Sequence, residues 1–546
     1  MSMGSRPMID AETAARAIAA GEARLGIELG STRIKACLTD AAGQVLAAGT
    51  HEWSTTFNGT HWTYDLTEVW GGVQRAYAEL VAAAKRSLGV APKTFAALGV
   101  SAMMHGYLVF DEADELLVPF RTWRNTNTGG AAALLTERFG VNVPLRWSIA
   151  HLGQAVLDDE PHVPRVAFMT TLAGYVHWRL SGERVLGIGD ASGLFPIAEG
   201  SREFDPRMIR EFDEFSASLR LPGGRASVER VLPRVLLAGE AGGNLTDFGA
   251  KLLDPSGELA AGIPLCPPEG DAGTGMVATG AVRPRTGNVS VGTSVFAMIV
   301  LEHRPTEVRA EIDLVATPDG ADVAMVHCNN GASELSDWVK LFVRFAQAAG
   351  WEVEPDRAFA VLLSEAMSVP NDLSRPLALN LVAGEPVLNL TDGLPLLLRR
   401  PGTPLSLAGT TRAQLDAVFA ALAVGMRSLA KQGISVDHLV AHGGVFRTPG
   451  AAETVLAQAL DTEIVVPNTA PEGGAWGMAL LASYLLDGRG RSLADYLDDV
   501  VLQEGGHRSV VASHEQVAAY DEYLNRYQRG VDAILMLQNS HKENFS

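Results

Sequence analysis

Two stretches of this chain set a glycine and two small hydroxyl residues between apolar runs. They are Ile27-Glu28-Leu29-Gly30-Ser31-Thr32-Arg33-Ile34-Lys35-Ala36-Cys37-Leu38 and Val289-Ser290-Val291-Gly292-Thr293-Ser294-Val295-Phe296-Ala297-Met298-Ile299-Val300. Each predicts a strand, a tight turn and a returning strand. Glycine lets the backbone approach a ligand closely, and successive turn amides with two hydroxyls form a partly positive nest for a phosphate oxygen. Either copy alone reads more readily as an ordinary hairpin. The recurrence about one domain length later points to two related domains, each with a phosphate-holding turn, and a cleft between them. The carboxylate best placed for chemistry is Asp271, in Cys266-Pro-Pro-Glu-Gly-Asp-Ala-Gly-Thr-Gly275, where glycines leave little bulk around it. In a crowded turn after the short apolar run Gly262-Ile-Pro-Leu-Cys266, it can accept the proton of an attacking hydroxyl. The same residues read equally as a turn or helix-cap aspartate.

Holding such residues requires strands that alternate with helices. After the first hairpin, Thr67 is expected to cap a helix whose apolar positions Val69, Trp70, Val73, Tyr77, Leu80 and Val81 follow helical spacing. Next comes Phe95-Ala-Ala-Leu-Gly-Val-Ser-Ala102, a buried strand ending in Met103-Met104-His105-Gly106. The second half repeats the scheme with a helix expected over about 411–432, closed by Gly433, and a strand His438-Leu-Val-Ala-His442 running into Gly443-Gly444. This alternation predicts an α/β fold with mostly parallel sheets, and ligands then sit beyond the carboxyl ends of the strands. Ser513 and Gln516 form a capping box that opens a C-terminal helix with an apolar stripe from Val517 to Ile534. The stripe reads as docking on its own domain, with a homodimer seam as the alternative.

The chain has 546 residues, 47% hydrophobic and 20% charged, which fits two or three globular domains. Its 44 basic and 63 acidic residues leave a formal charge of −19, which argues against nucleic acid or an anionic membrane as the main partner. The three cysteines, Cys37, Cys266 and Cys328, lie far apart and fit a reducing compartment better than a disulfide framework or a zinc site. With no apolar run near the ~20 residues of a membrane span and a charged N-terminus, the expected location is cytoplasmic. There is no G-x-x-x-x-G-K-[ST], H-E-x-x-H or G-x-S-x-G. Gly273-Thr-Gly275-Met-Val-Ala278 fits G-x-G-x-x-[GA] only formally, since no acidic residue follows about twenty positions on.

Taken in order, these motifs resemble those of the FGGY carbohydrate kinases over roughly residues 24–485. Leu25-Gly-Ile-Glu-Leu-Gly-Ser-Thr32 resembles the first phosphate hairpin of that family, and Ser101-Ala-Met-Met-His-Gly106 the Met-His-Gly sugar-contact motif of xylulokinases. Gly189-Asp-Ala-Ser-Gly193 is similar to their Asp-Ala-Ser segment, and Gly270-Asp271-Ala272 to the segment that holds the catalytic base. Val291-Gly-Thr-Ser294 resembles the second phosphate hairpin, and Gly384-Glu385 a Gly-Glu signature. Ala441-His-Gly-Gly444 and Glu472-Gly-Gly-Ala-Trp-Gly477 resemble the nucleotide-side turn and the start of the closing helix.

The resemblance implies two actin-like (ribonuclease-H-like) domains with a nucleotide and sugar cleft between them. It suggests a sugar-side domain over 22–281 and a nucleotide-side domain over 282–500, flanked by extensions 1–21 and 501–546. It implies ATP- and Mg²⁺-dependent phosphorylation of a terminal hydroxyl of a small ketose, first of all D-xylulose, with another pentulose or a polyol as alternatives. Asp271 would be the general base, and Met104, His105, Trp123, Asn125 and Asp271 would meet the sugar. Gly30, Ser31, Thr32, Gly292, Thr293, Gly443 and Gly444 would hold ATP, and Glu28 and Asp271 the metal. An actin-like ATPase switch acting on a protein partner is the reading from another class; it has no use for the Met104-His105 wall. Two departures bear on the sugar and metal sites. Glu28 stands where the family usually has Asp, and the Trp-x-Asp-x-Arg pattern is present as Trp123-Arg124-Asn125-Thr126-Asn127, with two charges replaced by amides.

Overall fold

Both expected hairpins are present. In the computed structural model, which describes residues 10–218, 227–370, 375–467, 473–500 and 506–543, the chain divides into two units. The first comprises Met1–Arg283, Asp313–Val323 and Thr469–Gly506, and the second Pro284–Ile312, Ala324–Asn468 and His507–Ser546.

The sheet of the first unit holds β1 (Arg24–Leu29), β2 (Arg33–Thr39), β3 (Val45–Glu52), β4 (Ala97–Ala102) and β5 (Glu269–Gly270), in the order β5-β4-β1-β2-β3. β1, β2 and β3 are antiparallel, whereas β4 runs parallel to β1 and β5 parallel to β4. Every residue of β4 is buried, as a strand covered on both faces requires. Helix Leu66–Leu88 buries Val69, Val73, Tyr77 and Leu80. Its cap is Asp65, whose Oδ1 accepts the Thr67 amide at 2.7 Å, so the helix begins ahead of the cap expected at Thr67. Either residue type can cap, and the carboxylate adds a favourable charge at the positive end of the helix dipole.

Helix Gly474–Asp487 belongs to the first unit, although the sequence division assigns it to the second domain. A Cβ on Gly26 would fall 2.0 Å from the Ala475 carbonyl oxygen, and one on Gly477 2.1 Å from that of Thr274. The helix therefore lies backbone against backbone on β1 and on helix Asp271–Thr279, a contact that local periodicity does not encode. Glu472, which begins the matching motif, lies outside the described residues.

In the second unit, β6 (Thr286–Val291), β7 (Val295–Val300), β8 (His438–Gly443), β9 (Glu463–Pro467) and β10 (His507–Val510) run side by side as β7-β6-β8-β9-β10. The arrangement β2-β1-β4 of the first unit recurs here as β7-β6-β8: an antiparallel hairpin whose first strand pairs in parallel with a later one. The helix expected over 411–432 is instead two helices, Leu407–Val418 and Ala420–Ala430, capped by Ser406 and broken at Phe419. Every residue from Gly409 to Ala423 is buried, polar Arg412, Gln414 and Asp416 included, so no exposed face marks where the first helix starts. Contrary to the sequence expectation, Leu407–Ala430 is long and apolar enough to cross a membrane by composition, and its residues pack mostly inside the unit. The capping box forms, with the Ser513 amide on Gln516 Oε1 at 2.9 Å and the Gln516 amide on Ser513 Oγ at 3.3 Å. The stripe it opens docks on its own unit: Tyr520, Tyr527 and Ile534 are buried, and the Tyr520 hydroxyl donates to the Asp416 carbonyl at 2.7 Å.

Candidate active site

The carboxyl ends of β1, β4 and β5 lie side by side, since Leu29 pairs with Ala102 and Ala102 with Gly270. From those three ends the chain continues into the Gly30 turn, the Met103-Met104-His105 run and Asp271. Asp271 is the first residue of helix Asp271–Thr279, not part of an irregular turn. The run Gly262–Cys266 that precedes it forms only single bridges, Leu98 with Leu265 and Asn244 with Pro264. Asp271 Oδ1 accepts the Met104 amide at 3.1 Å. Burial pushes its carboxyl above the usual aspartate range, while the amides of Met104 and Ala272 pull it back. Met104 is wedged over β5, where a Cβ on Gly270 would meet its Cγ at 2.2 Å.

His105 sits at φ +66 and Gly106 at φ +92. This left-handed corner turns the imidazole back over helix Ile188–Leu194, where its Nδ1 lies 3.2 Å from the Gly193 carbonyl. A carbonyl can only accept, so Nδ1 carries a proton toward it. A Cβ on Gly193 would stand 2.6 Å from that Nδ1, which explains a glycine at the end of the Asp-Ala-Ser segment. Within that segment, Asp190 Oδ2 accepts the Thr171 hydroxyl at 2.5 Å, while Oδ1 is buried with no hydrogen-bond partner.

Glu269 is the buried carboxylate of this cluster that sequence reasoning missed. It is fully buried and accepts the amides of Asp190 at 3.0 Å and Gly189 at 3.4 Å, which clamps that helix start against β5. Cβ atoms on Gly187 and Gly189 would fall 2.1 and 2.4 Å from its oxygens. Burial, with the Asp190 charge beside it, raises its carboxyl well above the ordinary glutamate range. The available signal was the pair of glycines at 187 and 189, which make room for a bulky partner.

Glu28 lies at the other side of β1. Its Oε2 accepts the Ala475 amide at 3.3 Å, and a Cβ on Gly474 would stand 2.4 Å from Oε1. The extra methylene relative to Asp carries this carboxylate to the start of helix Gly474–Asp487. Glu28, Gly30, Thr32, Arg33, Lys35, Glu52 and Trp53 line an open cavity of about 530 Å³. Trp123 is half-buried and packs on the core of the first unit. Asn125 is only 4% exposed, and its amide is wholly engaged with main chain: Oδ1 accepts from Trp62, and Nδ2 donates to Trp62 and Thr122.

In the second unit, the Gly292 amide donates to the Ser294 carbonyl at 2.9 Å. The carbonyls of Gly292 and Thr293 accept the amides of Ala332 and Gly331 at 2.9 and 2.8 Å. Glu385 is buried beside this support and accepts the Asn330 amide at 3.1 Å and Nδ2 at 2.9 Å. Gly443 pairs with Val291 across β8 and β6, which places the Gly443-Gly444 corner at the same sheet end as the Gly292 turn.

Models of the N- and C-terminal domains of the FGGY family of carbohydrate kinases match residues 23–271 and 287–486. The chain belongs to this FGGY family. It is 24% identical over 279 residues to the xylulose kinase of Escherichia coli strain K12, a match covering 50% of this chain and 52% of that one. The chain thus spans about half the length of the curated relatives it matches. The xylulose kinase structure from Rhodospirillum rubrum superposes with a TM-score of 0.76 at 18% identity, covering 94% of this chain and 99% of that one. The gluconate kinase from Lactobacillus acidophilus does so with a TM-score of 0.74 at 16% identity, covering 94% and 98%. At these identities the likeness shows the fold, which is the α/β, two-domain, actin-like fold of FGGY kinases.

In this FGGY chain the buried carboxylates should make stability depend on pH. Burial pushes Asp190 up to about 7; the Thr171 hydrogen bond opposes the shift and the Asp271 charge adds to it. A folded pKa above the ordinary aspartate range means that the native state holds the proton more tightly than the unfolded chain. The contribution is full below the unfolded pKa and is lost as pH rises through the folded one. An Asp190→Asn chain should therefore gain stability relative to the parent between pH 5 and 8, by on the order of 2 kcal/mol. Urea midpoints across that range check this, and an offset independent of pH would contradict it.

Proposed function

We propose that this FGGY chain transfers the γ-phosphoryl group of ATP to a terminal hydroxyl of a small ketose, with D-xylulose the first candidate. The observation that carries the reading is Asp271 at a helix start, its Oδ1 held by the Met104 amide where three strands end together. In this reading Asp271 takes the proton of the sugar hydroxyl as its oxygen attacks the γ-phosphorus and ADP leaves. A carboxylate with a raised pKa is better matched to that task near neutral pH. Met104 would supply an apolar wall, His105 a hydrogen-bond donor or acceptor to sugar oxygens, and Trp123 a flat apolar surface.

Each of the turns Gly30-Ser31-Thr32 and Gly292-Thr293 would bind phosphate oxygens, and Gly443-Gly444 would leave room for the adenosine. The cavity beside the first turn supports this, because it is lined by Thr32, Arg33 and Lys35 as well as Glu28. Mg²⁺ keeps several waters and takes only one or two carboxylates, and the residues that would hold it are Glu28, in that lining, and Asp271, outside it. When bound, the ion would neutralise charge on the transferring phosphoryl oxygens. The chain's own contribution is then positioning and charge complementarity. A reducing, cytoplasmic setting suits its three buried free cysteines.

The test is ADP release with Mg-ATP across ketopentoses, ketotetroses, ketohexoses, polyols and aldonates, with a no-sugar control. One ketose, D-xylulose first, is expected to raise turnover well above the control. A panel in which every sugar leaves turnover at the control rate would overturn the assignment.

A further inference from the structure

Between β3 and helix Leu66–Leu88, the chain leaves the first phosphate turn as a short hairpin, Thr56–Phe57 against Trp62–Thr63, and returns to the same turn. Its base occupies every carbonyl of the turn. Trp53 Nε1 donates to Gly30 at 2.7 Å, the Trp53 amide to Thr32 at 3.1 Å, and the Tyr64 hydroxyl to Ser31 at 2.7 Å. The two rings stack with centroids 4.1 Å apart.

The far end of the hairpin is held by the segment 121–127. Asn125 Oδ1 accepts the Trp62 amide at 2.8 Å, while its Nδ2 donates to the Trp62 carbonyl at 2.9 Å. The Thr122 amide donates to that same carbonyl at 3.1 Å. Arg124 lies 4.0 Å over the Trp62 ring and reaches Thr55 Oγ1 at 2.7 Å, and Asn127 meets His61 at 3.2 Å. An isolated two-stranded ribbon is at best marginally stable in water, and these strands have only two residues each. Phe57, on one of them, is 54% exposed. The hairpin's shape therefore comes from its two ends.

We propose that this strap couples the first phosphate turn to the 121–127 segment, and that Asn125 is a positioning residue for nucleotide binding, acting through Trp62 and Tyr64. Its role as nucleotide support rests on the function proposed above; the mechanical coupling does not. A ligand that orders either end lowers the ordering cost at the other, and by linkage the effect is reciprocal. The two amides that replace family charges at 125 and 127 are thus spent on holding the strap.

Hydrogen exchange on the full chain tests the coupling. Asn125→Ala should accelerate exchange at residues 61–63 and also at 30–33, by about tenfold, the loss of one or two net hydrogen bonds, with β4 unchanged. Acceleration that stops at Trp62 would overturn the proposal. Tyr64→Phe keeps the ring and removes only the hydroxyl, so if Asn125→Ala does not fold it tests the coupling from the other end: exchange at 122–125 should accelerate, and acceleration confined to 30–33 would overturn the proposal. In kinetics, Tyr64→Phe should raise KM for Mg-ATP roughly fivefold with the sugar KM within about twofold. Asn125→Ala should raise the Mg-ATP KM as well, and the double variant should cost less than the product of the two. An Asn125→Ala chain that raises only the sugar KM would make it a sugar contact and overturn the proposal. Failure of the kinase reading is distinguishable: the parent would show no sugar-stimulated turnover, while exchange at 30–33 would still report the coupling.

Discussion

Asp271→Asn is expected to abolish sugar phosphorylation, lowering kcat by about 10³-fold, while nucleotide binding stays within a few-fold of the parent. The side chains are isosteric, and the Asn Oδ1 can keep the Met104 amide bond that Asp271 makes at 3.1 Å. What disappears is the ability to take a proton. Stability should move the other way. Burial raises the Asp271 carboxyl above its usual range, so ionising it is unfavourable in the folded chain, and a neutral amide removes that penalty at neutral pH. Steady-state kinetics and thermal melting on the same preparation check both statements. A variant that loses activity and melts well below the parent would mean that Asp271 holds the fold together; one that retains turnover would remove it from the chemistry.

The second large effect is expected at the Gly443-Gly444 corner, where neighbouring glycines do different jobs. Gly443 has φ +130 and ψ 167, a region essentially closed to residues with a Cβ. A Cβ there would lie 2.1 Å from the Val291 carbonyl oxygen, on the strand that leads into the Gly292 turn. Gly443→Ala should therefore destabilise the second unit by roughly 3 kcal/mol or more from strain and clash together, and weaken nucleotide binding at least tenfold. A Cβ on Gly444 meets nothing within 4 Å, so Gly444→Ala should melt with the parent. Calorimetric titration with Mg-ADP separates the two roles. Parental melting of Gly443→Ala would contradict the backbone argument.

The features legible in the sequence are those whose cause is local. The hairpins at Gly30 and Gly292 show as apolar runs around turn residues, the buried strand before Met103 as an unbroken apolar stretch, and the helix after Ser513 as a capping box. Asp271 stood out because glycines flank it. Features with a distant cause were hidden. Glu269 looks like one more acidic residue beside prolines, and its burial becomes intelligible only once Gly187 and Gly189 fold against it. Helix Gly474–Asp487 joins the first unit because Gly26 and Gly477 admit backbone contact, which no periodicity announces. The break at Phe419 was invisible because the segment around it is buried on every side, with Arg412, Gln414 and Asp416 buried among its apolar residues. Nothing local in the sequence announces that Asn125, which the family resemblance makes a sugar contact, hydrogen-bonds to the main chain of Trp62 and Thr122.

In the proposed reaction the γ-phosphoryl group goes to a sugar oxygen and not to water. Phosphorus NMR of a reaction with Mg-ATP and D-xylulose, or whichever sugar stimulates turnover most, measures this directly. A new phosphate monoester signal is expected that grows in step with ADP and does not form with Asp271→Asn. ADP accumulating with inorganic phosphate alone, at a rate indifferent to sugar, would contradict it and leave an ATPase switch in its place.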